Sequence, residues 1–174
     1  MGFSYTRINN PTVESFEKRV TMLEDGIGSV ACASGMAALT NAFLNILQAG
    51  DEIVAACGLY GGTVELFDDL KPFGISVKYV SENKPEAFEA EITEKTRLIF
   101  AETIGNPKLD VTDIQAVAEV AHKHDVPLIV DNTVATPYLI QPLKLGADIV
   151  VHSSSKYING SSDAISGILV CGKG

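Results

Sequence analysis

The 174-residue chain has no tryptophan, three cysteines and three histidines, and its 13 Lys and Arg are outnumbered by 22 Asp and Glu. Each scarcity removes a class of function. A formal net charge of -9 repels nucleic acid and anionic lipid, so neither is an expected partner. Cys32, Cys57 and Cys171 are odd in number, widely spaced and without a CxxC pair. That pattern argues against a disulfide scaffold or a zinc site and fits a reducing cytoplasm. His122 and His124 lie two apart, so a helix points them about 200° from one another rather than at one metal. They read as solvated, and no metal is expected. No apolar run reaches the roughly 18 residues of a membrane span, and no signal peptide opens the chain. The start Met1-Gly2-Phe3-Ser4-Tyr5-Thr6 satisfies the bare myristoylation pattern, which is short enough to match by chance. Neither GxGxxG nor GxxxxGK[ST] occurs, which weighs against a nicotinamide-binding domain and a P-loop.

What is present is a well-filled α/β pattern. Hydrophobic residues make up 46% of the chain and charged residues 20%, the range of one globular domain with a sizeable core. Seven strand candidates centre near residues 31, 54, 78, 100, 130, 151 and 169. Helical patterns separate most of them, which predicts a mostly parallel seven-stranded sheet with helices on both faces. Asn10-Pro11 reads as a helix start. Val13, Phe16, Val20 and Leu23 then form one apolar face, and Gly26 stands where that helix should end. Further helices are expected from Ser34-Gly35 to about Leu47, after Gly58-Leu59-Tyr60-Gly61-Gly62-Thr63 through about Leu70, over Pro85 to Ala90 and over Asp113 to His124.

The chemistry-bearing residues follow strands. Val150-Val151-His152 ends in Ser153-Ser154-Ser155-Lys156-Tyr157, delivering a lysine to the rim where open α/β sheets gather their functional groups. Desolvation there would favour the free amine and Schiff-base chemistry, whereas the plainer reading is a surface lysine after a strand. Ser34-Gly35-Met36-Ala37-Ala38 opens a helix with small residues, suited to cradling an anion or merely to tight packing. Tyr60, between glycines, can stack on a planar ligand or pack on the next helix. Asn106 precedes Pro107 and so lies in a loop, where it orients a ligand or fixes the turn. Asp131 closes an apolar strand and either caps the following turn or meets a cation. Arg7 suits phosphate or carboxylate recognition, although an unpaired surface arginine is commoner. Ser153-Ser154-Ser155-Lys156 also fits the S-x-x-K of serine β-lactamases, but the S-D-N and K-T-G partners are missing.

An amine for an aldehyde, an anion for a pyridinium nitrogen, and amides and hydroxyls for a phosphate are together what pyridoxal phosphate needs. The chain resembles the cofactor-binding large domain of the Cys/Met-metabolism family of fold-type I pyridoxal-phosphate enzymes. The resemblance rests on Tyr5-Thr6-Arg7, Asn10-Pro11-Thr12, Ser34-Gly35-Met36-Ala37-Ala38, Tyr60-Gly61-Gly62-Thr63, Gly105-Asn106-Pro107, Val130-Asp131-Asn132-Thr133 and Ser153-Ser154-Ser155-Lys156-Tyr157. It implies that Lys156 holds the cofactor covalently and shuttles protons. Asp131 would keep the ring nitrogen protonated, and Tyr60 would stack on the ring. The amides of Gly35 and Met36 and the hydroxyls of Ser153 and Ser155 would bind phosphate, with Asn106 orienting cofactor and substrate. Tyr5 and Arg7 would reach a neighbouring subunit's phosphate, so a homodimer or homotetramer is implied. Residues 1–25 then serve the neighbouring site, and residues 26–174 form the cofactor domain.

Within the family the wording is most like the O-acetylhomoserine sulfhydrylases, which replace the acetoxy group of an O-acylated homoserine with sulfide or a thiol. Gly62 stands where methionine γ-lyases usually carry cysteine. Cystathionine γ-synthase, cystathionine γ-lyase or methionine γ-lyase activity, or an inert cofactor-domain fragment, are the alternatives. Family members also have an N-terminal arm and a smaller C-terminal domain bearing the arginine for the substrate carboxylate. Neither lies within these residues, so weak cofactor binding and poor turnover are expected of this chain alone.

Overall fold

The computed structural model describes Gly2 and residues 4–173. Its first helix, α1 (Pro11–Glu24), starts as the Asn-Pro pair predicts: Asn10 Oδ1 accepts the amides of Thr12 and Val13 at 2.9 and 3.2 Å. The helix ends one residue before Gly26, at Asp25, which takes the left-handed conformation at φ 60°. Gly26 is needed for a different reason. A side chain there would begin 2.4 Å from Val170 Cγ1 and 2.9 Å from the Cys171 carbonyl. The expected apolar face is used only in part, because Phe16 and Val20 pack inward while Val13 and Leu23 stay exposed. The inward row steps by four, and its third member is Glu24, which is fully buried.

The remaining elements are β1 (Gly28–Cys32), α2 (Gly35–Ile46), β2 (Glu52–Ala55), α3 (Gly61–Leu70), β3 (Ser76–Tyr79), α4 (Pro85–Glu91), β4 (Thr96–Glu102), α5 (Ile114–Lys123), β5 (Leu128–Asp131), α6 (Thr136–Leu139), β6 (Ile149–His152) and β7 (Gly167–Cys171). They build one seven-stranded sheet in the order β1-β7-β6-β5-β4-β2-β3. The pairs from β3 to β6 are parallel, as expected of strands joined through helices. No helix separates β6 from β7, and β7 runs antiparallel to both β6 and β1.

This topology decides where chemistry can happen. Because β7 is reversed between two strands of the opposite sense, the carboxyl ends of β1 to β6 share one rim. The order also reverses between β2 and β4: the chain leaves β2 towards β3 and leaves β4 towards β5. Such a switch point opens a crevice at the carboxyl ends.

The sheet is covered on both faces, since neighbours such as Ile99 and Phe100, or Val150 and Val151, point oppositely and are all inaccessible. Phe43 of α2, Phe67 of α3 and Phe100 of β4 meet with ring centroids 5.4 to 5.8 Å apart. Removing one such ring costs about 3–5 kcal/mol in a packed core. At the edge strand β1, Glu17 Oε1 accepts the Ala31 amide at 2.8 Å, which occupies part of an otherwise open edge.

Candidate active site

A cavity of about 620 Å³ opens at this rim, lined by Gly35, Met36, Tyr60, Asn106, Asp131, Ser153, Ser155 and Lys156 among others. Eight of the ten residues expected to form the site are thus brought together. Tyr5 and Arg7 are not. Tyr5 is exposed and Arg7 lies over its ring, 5.2 Å from the centroid, in a cation–π pair away from the cavity wall.

One end of the cavity forms where β1 gives way to α2. Ser34 caps that helix by accepting the Ala37 amide at 3.0 Å, which leaves the Gly35 and Met36 amides without protein acceptors among the described residues. Ser153 closes the cradle. A side chain at Gly35 would start 2.6 Å from Ser153 Cβ, so only glycine permits this approach. The Ser153 amide donates to Thr133 Oγ1 at 2.8 Å, fixing its backbone. Ser155 lines the same wall, but its hydroxyl donates to the Ser166 carbonyl at 3.0 Å and accepts the Ser166 amide at 2.9 Å. Its proton is already used to clasp the segment that leads into β7.

The acid end forms at β5. Asp131 Oδ1 accepts both the Thr133 hydroxyl, at 2.5 Å, and the Thr133 amide, at 2.9 Å. Of the two roles open from sequence, Asp131 therefore caps the turn, and it forms no ion pair among the described residues. Burial pushes its carboxyl up from the ordinary range, while the Thr133 donors and His152 on the next strand pull it back. Lys156 departs from expectation in one respect. The chain turns outward after His152, through a Lys156 amide to Ser153 carbonyl bond at 3.1 Å, so the lysine stands exposed at the cavity rim rather than buried in it.

Glu102 and Thr133 also line the cavity, and sequence reasoning missed both. Glu102 ends an apolar strand as Asp131 does, a signal that was available. Also missed is a sealed cluster beneath the rim. His152 Nε2 donates to Glu24 Oε1 at 2.5 Å, and Asn132 Nδ2 donates to the same oxygen at 3.0 Å, all three residues being inaccessible. It ties α1 to β5 and β6. Both surface histidines sit beside acids, His122 by Asp148 and His124 by Glu89.

Free helix-start amides, a half-buried acid and a lysine facing one cavity are the features that a pyridoxal-phosphate site in a fold-type I enzyme requires. The comparisons with known proteins make this specific. Residues 1–174 match the family described as Cys/Met metabolism PLP-dependent enzyme, and the chain belongs to that family of sulfur amino-acid metabolism. It is 51% identical over 172 residues to an O-acetyl-L-homoserine sulfhydrylase of Leptospira meyeri, covering 98% of this chain and 39% of the relative.

Among solved structures, a cystathionine gamma-lyase of Lactobacillus plantarum complexed with L-serine matches with a TM-score of 0.96 and 43% identity, over 99% of this chain and 45% of that one. An O-acetylhomoserine (thiol)-lyase of Campylobacter jejuni, described as putative and carrying a pyridoxyl-lysine monophosphate, matches with a TM-score of 0.94 and 38% identity, over 99% and 43%. The chain spans about two fifths of the length of the curated relatives it matches. No helix among the described residues is long and apolar enough to cross a membrane.

Proposed function

We propose that this chain is the cofactor-binding part of a sulfhydrylase that exchanges the acetoxy group of an O-acetylated homoserine for sulfide or a thiol. The observation that carries the reading is the convergence of Lys156, Asp131 and the Gly35–Met36 amides on one cavity. These residues fit the cofactor on their own chemistry. The paired amides and the Ser153 hydroxyl suit a phosphate at a helix start. Asp131 uses only Oδ1 for Thr133, which leaves its other oxygen to accept a proton-bearing ring nitrogen. Tyr60 is half exposed on the facing wall, free to cover a ring. Pyridoxal phosphate, held there, would supply an electron sink, and Lys156 at the cavity rim would take up and return protons at the substrate carbons.

Gly62 supports a sulfhydrylase over a methionine γ-lyase. A side chain there would begin 2.6 Å from Tyr60 Cε1, so glycine lets the ring occupy a place that cysteine would contest. Tyr5 and Arg7, which do not line this cavity, are assigned to the cavity of a second subunit, so that a homodimer is the proposed working form and residues 1–25 its shared segment. Three unpaired cysteines suit a reducing cytoplasm. The exposed Lys156 favours a second reading, a cofactor domain with little turnover of its own.

Adding pyridoxal phosphate to the protein and to Lys156→Ala tests the cofactor, with a visible absorption band expected in the parent alone. Assays of O-acetylhomoserine with sulfide, against methionine breakdown, test the reaction. Breakdown of methionine without sulfide transfer overturns the sulfhydrylase assignment.

A further inference from the structure

Glu102 is the one carboxylic acid in the cavity wall with no part in the reading above. It closes β4 at the switch point, is 6% exposed, and stands in register with Asp131 on β5. Across the crevice its Oε1 accepts the amide of Tyr60, at 2.8 Å, from the loop after β2. One carboxyl group thus spans the gap between the two strands whose connections diverge, and its partner is the backbone of the residue whose ring faces the cavity. The amide of Asn106, in the loop after β4, also favours its charged form.

We propose that Glu102 is a positioning residue for this site: as a carboxylate it holds the Tyr60 backbone, and so the Tyr60 ring, against the cavity, and it slackens that hold on taking up a proton. A hydrogen bond to an ionised acceptor is roughly twice as strong as one to a neutral group, so the protonation state of Glu102 sets how firmly Tyr60 is placed. The groups that face it are few. β5 presents Asp131, the adjoining strand β2 ends in the apolar Ala55 and is followed by Ala56, and Lys156 and Tyr157 line the cavity from the segment after β6. Lys108 and Asp110, from the loop after β4, approach Gly58. Burial pushes Glu102 up to about 7; the Tyr60 amide opposes this, Asp131 adds to it and the Asn106 amide opposes it. Its proton is therefore exchanged near neutral pH. A cation arriving at Asp131 cancels the repulsion between the two acids, favours ionised Glu102 and tightens Tyr60, which couples occupancy of the site to the placing of its aromatic wall.

The cofactor half of this inference rests on the function proposed above; the positioning half does not, and the test separates them. Backbone amide resonances of ligand-free, ¹⁵N-labelled protein are followed from pH 5 to 9 in the parent and in Glu102→Gln, which keeps size and an acceptor oxygen. Glu102→Asp serves if the amide variant fails to fold. In the parent the Tyr60 amide is expected to move with a midpoint near 7, and in either variant that transition is expected to be lost or displaced. A Tyr60 amide that stays still, or that titrates identically in parent and variant, overturns the proposal. Pyridoxal phosphate affinity over the same range is then expected to have a pH dependence in the parent that Glu102→Gln alters. Identical profiles overturn the coupling. Absence of binding by either protein, beside an intact Tyr60 titration, overturns the cofactor assignment and leaves Glu102 as a positioning acid.

Discussion

The two ends of the sheet both carry acids, and they treat them differently. At the amino end, Asp51 accepts the Gln48 amide at 2.7 Å with Arg97 nearby at 3.6 Å. Glu52 accepts the hydroxyls of Thr93 and Thr96, with Lys78 at 3.6 Å. Asp148 accepts the Leu128 amide at 2.7 Å beside His122. Each is consumed in closing a loop, and each has a basic side chain in reach. At the carboxyl end Glu102 and Asp131 form no ion pairs among the described residues, are pushed towards the neutral form by burial, and open on a cavity. Acids held without counter-charges are costly, and on the function proposed above the return is a place for a ligand that brings the missing charge.

The sharpest test exchanges chemistry for stability at one end. Asp131→Asn is expected to lower the rate of sulfide incorporation by at least about 10²-fold, the usual scale for removing a proton-handling group, while leaving the thermal midpoint nearly unmoved. A large fall in stability with activity retained would place Asp131 with the amino-end acids.

The sealed Glu24–His152–Asn132 cluster is where the comparison can break, because it too lies near the carboxyl ends but does not line the active-site cavity. Glu24→Ala is expected to destabilise the fold by about 3–5 kcal/mol, the range for opening a buried polar pair, as read by urea denaturation. Little change would mean that the cluster is dispensable to the fold.

A third test uses pH. The ordinary value for Glu102 is 4.5 and the folded protein raises it to about 7, so between those limits the folded state binds more protons than the unfolded one. The stabilisation is complete below 4.5 and is lost as pH rises through 7, amounting to roughly 3 kcal/mol at 1.36 kcal/mol per pH unit. Asp131, also raised by burial, adds to the same slope. Glu102→Gln is expected to flatten the fall in thermal midpoint between pH 5 and 8, whereas an unchanged slope would mean that Glu102 is already ionised. The smallest effect is expected at the amino end. Asp148→Ala leaves the Leu128 amide unpaired and is expected to cost about 1–3 kcal/mol without altering cofactor binding.

How much could be read in advance follows from the range of each signal. Asn10-Pro11 and Ser34-Gly35 announced helix starts because a cap acts over three residues, and apolar runs announced the central strands β4, β5 and β6 because burial on both faces leaves few polar positions, whereas the half-exposed β3 showed itself by alternation. Asp131, Tyr60 and Lys156 were legible as residues that follow strands. Glu102 closes its strand in the same way and was passed over. Glu24 could not be found, since its partners His152 and Asn132 lie 128 and 108 residues away and nothing local marks a helix-end glutamate as buried. The end of α1 at Asp25 was hidden as well, because the demand for glycine at Gly26 comes from β7.

Local chemistry thus determined the α/β pattern and which side chains were equipped to handle a phosphate, a ring nitrogen and an amine, while the wording of the motifs carried the resemblance to the family. Only the tertiary structure decided that β7 runs backwards, that Lys156 stands exposed, that the Ser155 proton is spent on Ser166, and that Glu102 crosses to Tyr60. The direction of β7 and the Glu102–Tyr60 contact depend on strand order and register, which join residues as distant as Tyr60 and Glu102, 42 positions apart, and no short window of sequence contains both partners; the Lys156 and Ser155 outcomes are set by the path of the turn that leaves β6.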